Sequence, residues 1–164
     1  MSCPVLRLAV STSPCTSVTR IPAMQGLRRC HERRVRDCEL DQYGVVNNTV
    51  YPAYIERARE ELISSLGMSR TSIASTGNAM ALTELTIKYF TPLKRGDKFV
   101  VKLALGRIKG ARIYAEQFIE RLPDRKLVVE STATIICLDR KHRPTRVFPE
   151  LSTKLLDLFS SHED

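Results

Sequence analysis

A carboxylate, a glycine and the start of a helix follow one another closely between Asp41 and Tyr51. The string reads Asp-Gln-Tyr-Gly-Val-Val-Asn-Asn-Thr-Val-Tyr, and Gly44 allows the backbone to turn tightly within it. A carboxylate can attack an acyl carbon or activate water. The first N–H groups of a helix lack partners inside the helix and can stabilise an oxyanion. The string therefore predicts a hydrolytic site, with a simple turn as the alternative role for Asp41.

The helix that this site needs is predicted by the spacing of the apolar residues. They recur at intervals of three and four, as on one buried stripe, at Tyr51, Tyr54, Ile55, Ala58, Leu62 and Leu66. Pro52 suits a first turn, and Gly67 is a typical C-terminal stop. We therefore expect a helix that begins within residues 48–52 and ends before Gly67.

Strand-like runs precede and follow this helix. A short one covers residues 35–41, and four longer ones cover 80–90, 99–107, 112–122 and 127–138. Turn residues such as Gly96-Asp97 and Pro123-Asp124 separate the long runs. Short turns between successive strands predict a mostly antiparallel sheet, and the long helix must cover one of its faces. A last short helix is expected over residues 149–159, because Pro149 suits a first turn and apolar residues follow at helical spacing.

The order of elements and the motif together resemble the hotdog-fold thioesterases of the 4-hydroxybenzoyl-CoA thioesterase type. That family has an Asp, a Gly-Val-Val turn and a helix with Tyr ten residues after the Asp, as Asp41, Gly44 and Tyr51 are placed here. Residues 54–59 are similar to its aromatic-x-Glu-Arg-Ala-Arg segment. Residues 39–48 most resemble a plant plastid subgroup of single-hotdog acyl-ACP thioesterases, the methylketone-synthase-like enzymes. The resemblance covers roughly residues 33–150.

This resemblance implies an α+β hotdog fold, in which an antiparallel sheet of about five strands wraps around one long central helix and a short C-terminal helix follows. It implies hydrolysis of fatty acyl thioesters of acyl carrier protein to free fatty acids, with 3-oxoacyl groups as an option. A broad acyl-CoA thioesterase and a non-catalytic acyl-thioester-binding domain are the alternatives. It also implies a homodimer or homotetramer, and no cofactor or metal.

The resemblance also assigns the site residues. Asp41 would be the nucleophile or the general base, and the main-chain N–H of Asn48 would hold the thioester oxygen. The other expected residues are the pocket residues Gly44, Val46, Asn47 and Tyr51 and the supporting carboxylates Glu39 and Glu56. Glu39 could instead point outward from a strand, and Glu56 could pair with Arg59. Many bacterial relatives have His where this chain has Asn48. His31, His142 and His162 all lie outside the motif, so a His-dependent hydratase is disfavoured.

The first thirty residues contain four arginines, many Ser and Thr, and no Asp or Glu. This composition is typical of an organelle transit peptide. With the resemblance, it predicts a disordered plastid-targeting segment over residues 1–30, cleaved within about 25–35. A single domain over residues 31–164, located in the plastid stroma, would follow.

The charge of the chain favours an acidic partner. Removing the four N-terminal arginines from 26 basic residues leaves 22 against 18 acidic ones, a net charge of +4. Acyl carrier protein is the acidic partner that the resemblance implies. The candidate docking residues are Arg33, Arg34, Lys94, Arg95, Arg107, Lys109, Arg112, Lys141, Arg143 and Arg146.

Three other classes are disfavoured by the sequence. The chain has no Trp, no RNP-like aromatic string and no zinc-finger spacing, which argues against a nucleic-acid binder. Its five cysteines include no Cys-x-x-Cys pair, so neither a disulfide framework nor a zinc site is indicated. No apolar run reaches the length of a membrane span.

Overall fold

The computed structural model describes residues 25–29 and 31–160. Six strands and three α-helices form this part of the chain. They are β1 (Gln25–Arg29), β2 (Arg33–Arg34), α1 (Tyr51–Ser65), α2 (Arg70–Ser75), β3 (Ala79–Tyr89), β4 (Lys98–Lys109), β5 (Arg112–Leu122), β6 (Lys126–Leu138) and α3 (Pro149–Ser160). A short 3-10 helix, Asp37–Glu39, precedes α1. None of these helices is long and apolar enough to cross a membrane.

The strands form one antiparallel sheet in the order β1-β4-β5-β6-β3, and β2 also pairs with β4. The four long strands and the last helix lie within two residues of their expected positions. Their positions were predictable because apolar residues alternate along β4 and turn residues separate the strands. The predicted α+β hotdog architecture, a curled antiparallel sheet around one long helix, is confirmed.

The long helix and the last helix cover the same face of the sheet. The stripe of α1 buries Tyr51, Tyr54, Ile55 and Ala58 in a cluster that includes Val101 and Leu103 of β4. Leu105 is two residues further along β4 and belongs to a second cluster, with Leu151, Leu155 and Phe159 of α3. Because alternate residues of a strand share a face, α1 and α3 lie side by side over one sheet surface.

The segment over residues 35–41 is not the strand that was expected. Residues 37–39 form the 3-10 helix, and only Leu40 makes an isolated bridge, with Val46. The N–H of Arg36 donates to the Glu39 carboxylate at 2.9 Å, and the N–H of Glu39 donates to the carbonyl of Arg36 at 3.1 Å. Such local side-chain bonds compete with strand pairing, and they win here.

A short strand precedes residue 31, the expected start of the domain. Residues Gln25–Arg29 form β1, which pairs with β4, and the transit peptide over residues 1–30 stays a prediction. This pairing provides hydrogen-bond partners for the N–H and C=O groups along an edge of β4 that would otherwise be free. Gly26 allows β1 to approach α3, since a Cβ there would overlap the carbonyl oxygen of Phe159. Residues 1–24 and residue 30, the rest of the predicted transit peptide, lie outside the described residues.

One helix was not predicted. α2 begins after Ser69, whose hydroxyl accepts the N–H of Ser72 at 3.0 Å, while the Ser72 hydroxyl accepts the N–H of Ser69 at 2.9 Å. With only six residues, α2 is too short to display a helical apolar period. The reciprocal Ser69–Ser72 cap was its available sequence signal.

Candidate active site

The Asp41 carboxylate closes a tight turn with one of its two oxygens. Its Oδ1 accepts the N–H of Tyr43 at 2.8 Å and that of Val45 at 3.4 Å. The backbone of Asp41 also bonds to that of Val45, N to O, at 2.8 Å. Gly44 has a φ of +75°, which a glycine adopts without strain. Within the described chain Oδ2 has no hydrogen-bond partner, so this oxygen of a half-buried carboxylate is available for chemistry.

A second turn leads directly into α1. The N–H of Val50 donates to the carbonyl of Asn47 at 2.9 Å, and the Asn47 side chain accepts from the N–H and the hydroxyl of Thr49, at 3.0 and 2.9 Å. Asn48 is exposed at the tip of this turn. Its N–H has no acceptor in the part of the chain that the structure describes, which leaves this donor free for an oxyanion.

The two turns are tied to each other and to the core. The N–H of Asn47 donates to the carbonyl of Glu39 at 3.0 Å, which links the second turn to the segment before Asp41. Val46 is buried, and its N–H donates to the carbonyl of Leu93 at 2.8 Å. The N–H of Leu93 in turn donates to the hydroxyl of Tyr51 at 3.1 Å. Val46 and Tyr51 therefore hold the loop from behind, rather than presenting polar groups at its surface.

Tyr51 sits within a group of aromatic rings. It makes edge contacts with the rings of Tyr54 and Tyr89 at centroid distances of 6.0 and 5.5 Å. Burial raises the pKa of Tyr51, so its hydroxyl stays protonated at neutral pH. The hydroxyl of Tyr89 donates to the carbonyl of Asn48 at 3.2 Å and thereby fixes the peptide on the far side of that residue.

Glu39 is buried and does not point outward as a strand residue would. Only 8% of it is exposed. Its carboxylate accepts the Tyr54 hydroxyl at 2.6 Å, the Arg36 N–H at 2.9 Å and the Arg36 guanidinium at 2.9 and 3.0 Å. Burial alone would raise the pKa of Glu39, but these hydrogen bonds together lower it below its ordinary value. Glu39 thus braces the loop through its carboxylate and its carbonyl.

Glu56 does not join this loop. It is exposed on the second turn of α1 and binds Arg70 of α2 at 2.8 Å, instead of the Arg59 that the sequence suggested. No contact with Asp41 therefore supports the predicted role of Glu56. It lines a separate cavity beneath the second half of α1.

Tyr54, Arg36 and Leu93 support the site but were not singled out in the sequence. Glu39 lies three positions after Arg36, and this capping-box spacing was a readable signal. The Tyr54 hydroxyl and the Leu93 N–H bond to Glu39 and Tyr51, which are 15 and 42 residues away in the sequence. No local sequence pattern predicts such bonds. The described residues contain no cluster of His, Cys, Asp and Glu side chains that could hold a metal.

This loop holds the kinds of group that an acyl-transfer centre needs. It has a carboxylate oxygen without a protein partner, an exposed N–H without an acceptor, and a helix start directly behind that N–H. A carbonyl oxygen held at the N–H would be polarised, and its oxyanion would be stabilised more than the ground state. The individual roles of Asp41, Asn48, Gly44, Val46, Asn47 and Tyr51 toward a substrate stay predictions.

Known proteins are similar to this chain in both sequence and fold. Residues 35–155 match the family described as the thioesterase-like superfamily. Acyl-acyl carrier protein thioesterase ATL2, chloroplastic, from Arabidopsis thaliana is 47% identical over 116 residues, which are 71% of this chain and 62% of the relative. ATL3 from the same plant, named in the same way, is 41% identical over 134 residues, which are 80% of this chain and 70% of the relative.

A solved structure gives the same picture at the level of fold. The 1,4-dihydroxy-2-naphthoyl-CoA thioesterase Slr0204 from Synechocystis superposes with a TM-score of 0.76 at 24% identity, over 81% of this chain and 98% of that one. The predicted resemblance to hotdog thioesterases and the predicted class of thioester hydrolase are confirmed. This chain belongs to the thioesterase-like superfamily.

Proposed function

We propose that the protein hydrolyses fatty acyl thioesters of acyl carrier protein and releases free fatty acids. One observation carries the chemistry: the free Oδ2 of Asp41 lies in the loop whose next turn presents the unpaired N–H of Asn48 at the start of α1. The carrier is suggested by the Arabidopsis relatives, whose names specify acyl-acyl carrier protein.

Two routes use the same groups. In the first, Oδ2 of Asp41 attacks the thioester carbon, the carrier thiolate leaves and takes up a proton, and water hydrolyses the mixed anhydride. In the second, Asp41 takes a proton from water as that water attacks the same carbon, and the carrier thiolate leaves and takes up this proton. Both routes pass through an oxyanion, which the N–H of Asn48 would hold.

Parallel assays with matched acyl groups test this proposal. The purified protein is given the same acyl chain on acyl carrier protein and on CoA, and free thiol and free acid are measured. We expect faster release from acyl carrier protein. Faster release from CoA would favour a general acyl-CoA thioesterase, and binding of either thioester without thiol release would favour a non-catalytic domain.

The docking surface for the carrier is proposed to lie next to the Asp41 loop, at Lys94. Lys94 is exposed, and its backbone forms a bridge with Val45. Arg33 is a poor candidate after all, because its side chain is only 15% exposed and is paired with Glu61. Arg95 is exposed and paired with the equally exposed Asp37. An acidic carrier would therefore meet Lys94 close to the reacting carboxylate.

We expect Lys94→Glu to lower kcat/KM for acyl carrier protein substrates by about tenfold, because reversal of a charge at the rim of an interface mainly slows association. An uncharged N-acetylcysteamine thioester of the same chain is expected to react as before. Lys109, another of the candidate docking residues, is exposed at the far end of β4, and Lys109→Glu compares the two positions. An equal effect of the two variants on the protein substrate would argue against docking at Lys94.

The free edge of β3 is proposed as the contact of a homodimer. β3 is the last strand of the sheet, and along its outer edge and just after it Leu82, Tyr89 and Phe90 are 45%, 47% and 55% exposed. Exposed apolar edge strands tend to pair with other strands. We expect sedimentation to give a dimer or a tetramer and Leu82→Glu to dissociate it. The control Leu156→Glu, 41% exposed on α3, should leave the assembly intact. A fully active monomer would contradict this assembly.

Localisation in the plastid stroma is also part of the proposal. It is supported by the acid-free, Arg- and Ser-rich composition of residues 1–30 and by the chloroplastic relatives. Import of a fluorescent protein fused to residues 1–35 into isolated chloroplasts would test it directly.

A further inference from the structure

The short strand β1 lies along the outer edge of β4, although its residues fall inside the segment that the sequence assigns to a transit peptide. It pairs with β4 from Gln25, opposite Leu105, to Arg29, opposite Lys102. On the same edge β2 pairs with the first two residues of β4, and on the other side β4 pairs with β5 along most of its length. β1 therefore supplies the partners for the middle of β4, whose backbone N–H and C=O groups would otherwise be free on that side.

The middle of β4 is also the place where the two core clusters meet. Leu103 belongs to the cluster of α1 and Leu105 to the cluster of α3, and they are only 2% and 3% exposed. Ala104 points to the opposite face of the sheet, is 1% exposed and lies opposite Leu27 of β1. Loss of β1 would therefore uncover an apolar edge strand, which is the kind of edge that pairs with other chains.

The sequence of β1 is fitted to this position. Its pairing with β4 is irregular between Gln25 and Leu27, and Gly26 between them has a φ of +24°. A Cβ at Gly26 would overlap the carbonyl oxygen of Phe159, which lies in the last turn of α3. A glycine at this point therefore lets β1 pass close to α3. A leader that is removed before the protein works would need no such fit to the folded domain.

We propose that β1 is a permanent part of the working enzyme and that the predicted transit peptide is cleaved before Gln25. The processing site then lies upstream of the expected window of residues 25–35. Arg28 and Arg29 stay in the mature chain, so that at least 24 basic residues, instead of 22, stand against 18 acidic ones. The processing step rests on the plastid localisation proposed above, whereas the retention of β1 in the folded protein does not.

Import of the full chain into isolated chloroplasts tests the processing step. The intact mass of the imported protein identifies its first residue, and we expect this residue to be Gln25 or one that precedes it. A first residue after Gln25 would overturn the proposal. A chain that is not imported would contradict the plastid localisation, and the processing step would fall with it.

Tryptic digestion of the purified full chain tests independently whether β1 is held. Cleavage after Arg28 or Arg29, followed by intact mass, requires β1 to leave β4, because a protease acts on a locally opened strand. Gly26→Ala should displace β1 from Phe159. We expect this variant to be cleaved there at least about tenfold faster than wild type. Its midpoint of thermal unfolding should fall by about 5 °C or more, because the hydrogen bonds to β4 are lost.

Gly96→Ala is the matched control for this variant. Gly96 also has a positive φ, of +71°, but a Cβ there would meet no neighbour within 4 Å in the described part of the chain. The control therefore carries the backbone strain of the substitution without moving β1, and its cleavage after Arg28 or Arg29 should match that of wild type. Rapid cleavage of wild type at these residues, or equal rates in all three proteins, would overturn the retention of β1. This outcome can be told apart from a failure of the proposed hydrolysis, because no thioester enters the digestion.

Discussion

Asp41→Asn is expected to lower thioester hydrolysis by about 10²–10⁴-fold, the range that a general acid or base contributes. The substitution keeps Oδ1, which accepts the N–H groups of Tyr43 and Val45, so the turn should persist. It replaces Oδ2, the oxygen without a protein partner, by an amide nitrogen that can neither attack a thioester nor accept a proton from water. The measurement is the steady-state release of free thiol from an acyl carrier protein substrate.

Asp37→Asn is the matched control for this variant. Asp37 is an exposed carboxylate four residues earlier, and its partner is the exposed Arg95 at 2.8 Å. Surface pairs of this kind contribute little, so activity and stability should both stay near the wild-type values. Near-normal turnover by Asp41→Asn would remove Asp41 from the mechanism. Equal losses in both variants would point to a general effect of charge.

Glu39→Ala is expected to lower the free energy of unfolding by about 2–3 kcal/mol, because it leaves buried donors without their acceptor. The groups left behind are the Tyr54 hydroxyl and the Arg36 N–H. Urea unfolding followed by circular dichroism measures the change. Glu84→Ala, an exposed carboxylate of β3, should change the free energy by less than about 0.5 kcal/mol. Similar losses in the two variants would argue against the bracing role of Glu39.

The contribution of Glu39 should also depend on pH. Its pKa in the folded chain lies below the ordinary value of 4.5, because the bonds from Arg36 and Tyr54 outweigh the effect of burial. A group with a lowered pKa stabilises the fold above its unfolded pKa and loses this effect as the pH falls through the folded one. The stability of wild type relative to Glu39→Gln should therefore be constant above about pH 5 and shrink below pH 4.5. A difference that grows toward acid pH would contradict this.

Local patterns in the sequence were sufficient for the long elements. The stripe that begins at Tyr51 and the positive-φ Gly67 after it specify α1, and the alternation in β4 specifies a sheet with one face toward that helix. Both patterns repeat over ten or more residues. They reflect burial of one face of the element, so they can be recognised without knowing what packs against that face. The Asp41-to-Tyr51 string was also readable, because its turn, its glycine and its helix start are neighbours in the chain.

Short elements escaped the same method. The 3-10 helix Asp37–Glu39 and the helix α2 are held by side-chain caps of one turn, which leave no periodic pattern. β1 was missed because its composition belongs to the Arg- and Ser-rich N-terminal segment, while its pairing partner is β4, about 75 residues later. At β1 the local composition and the distant partner favoured different structures, and the partner prevailed.

The sequence by itself determined the family, the main elements and the carboxylate at the mouth of the long helix. Only the tertiary structure decided which oxygen of Asp41 is free, that Glu39 is a buried brace rather than an outward residue, and that Arg33 is paired with Glu61. The physical reason is the same in each case. Whether a polar group is satisfied depends on neighbours brought together by folding, and periodicity along the chain contains no record of them.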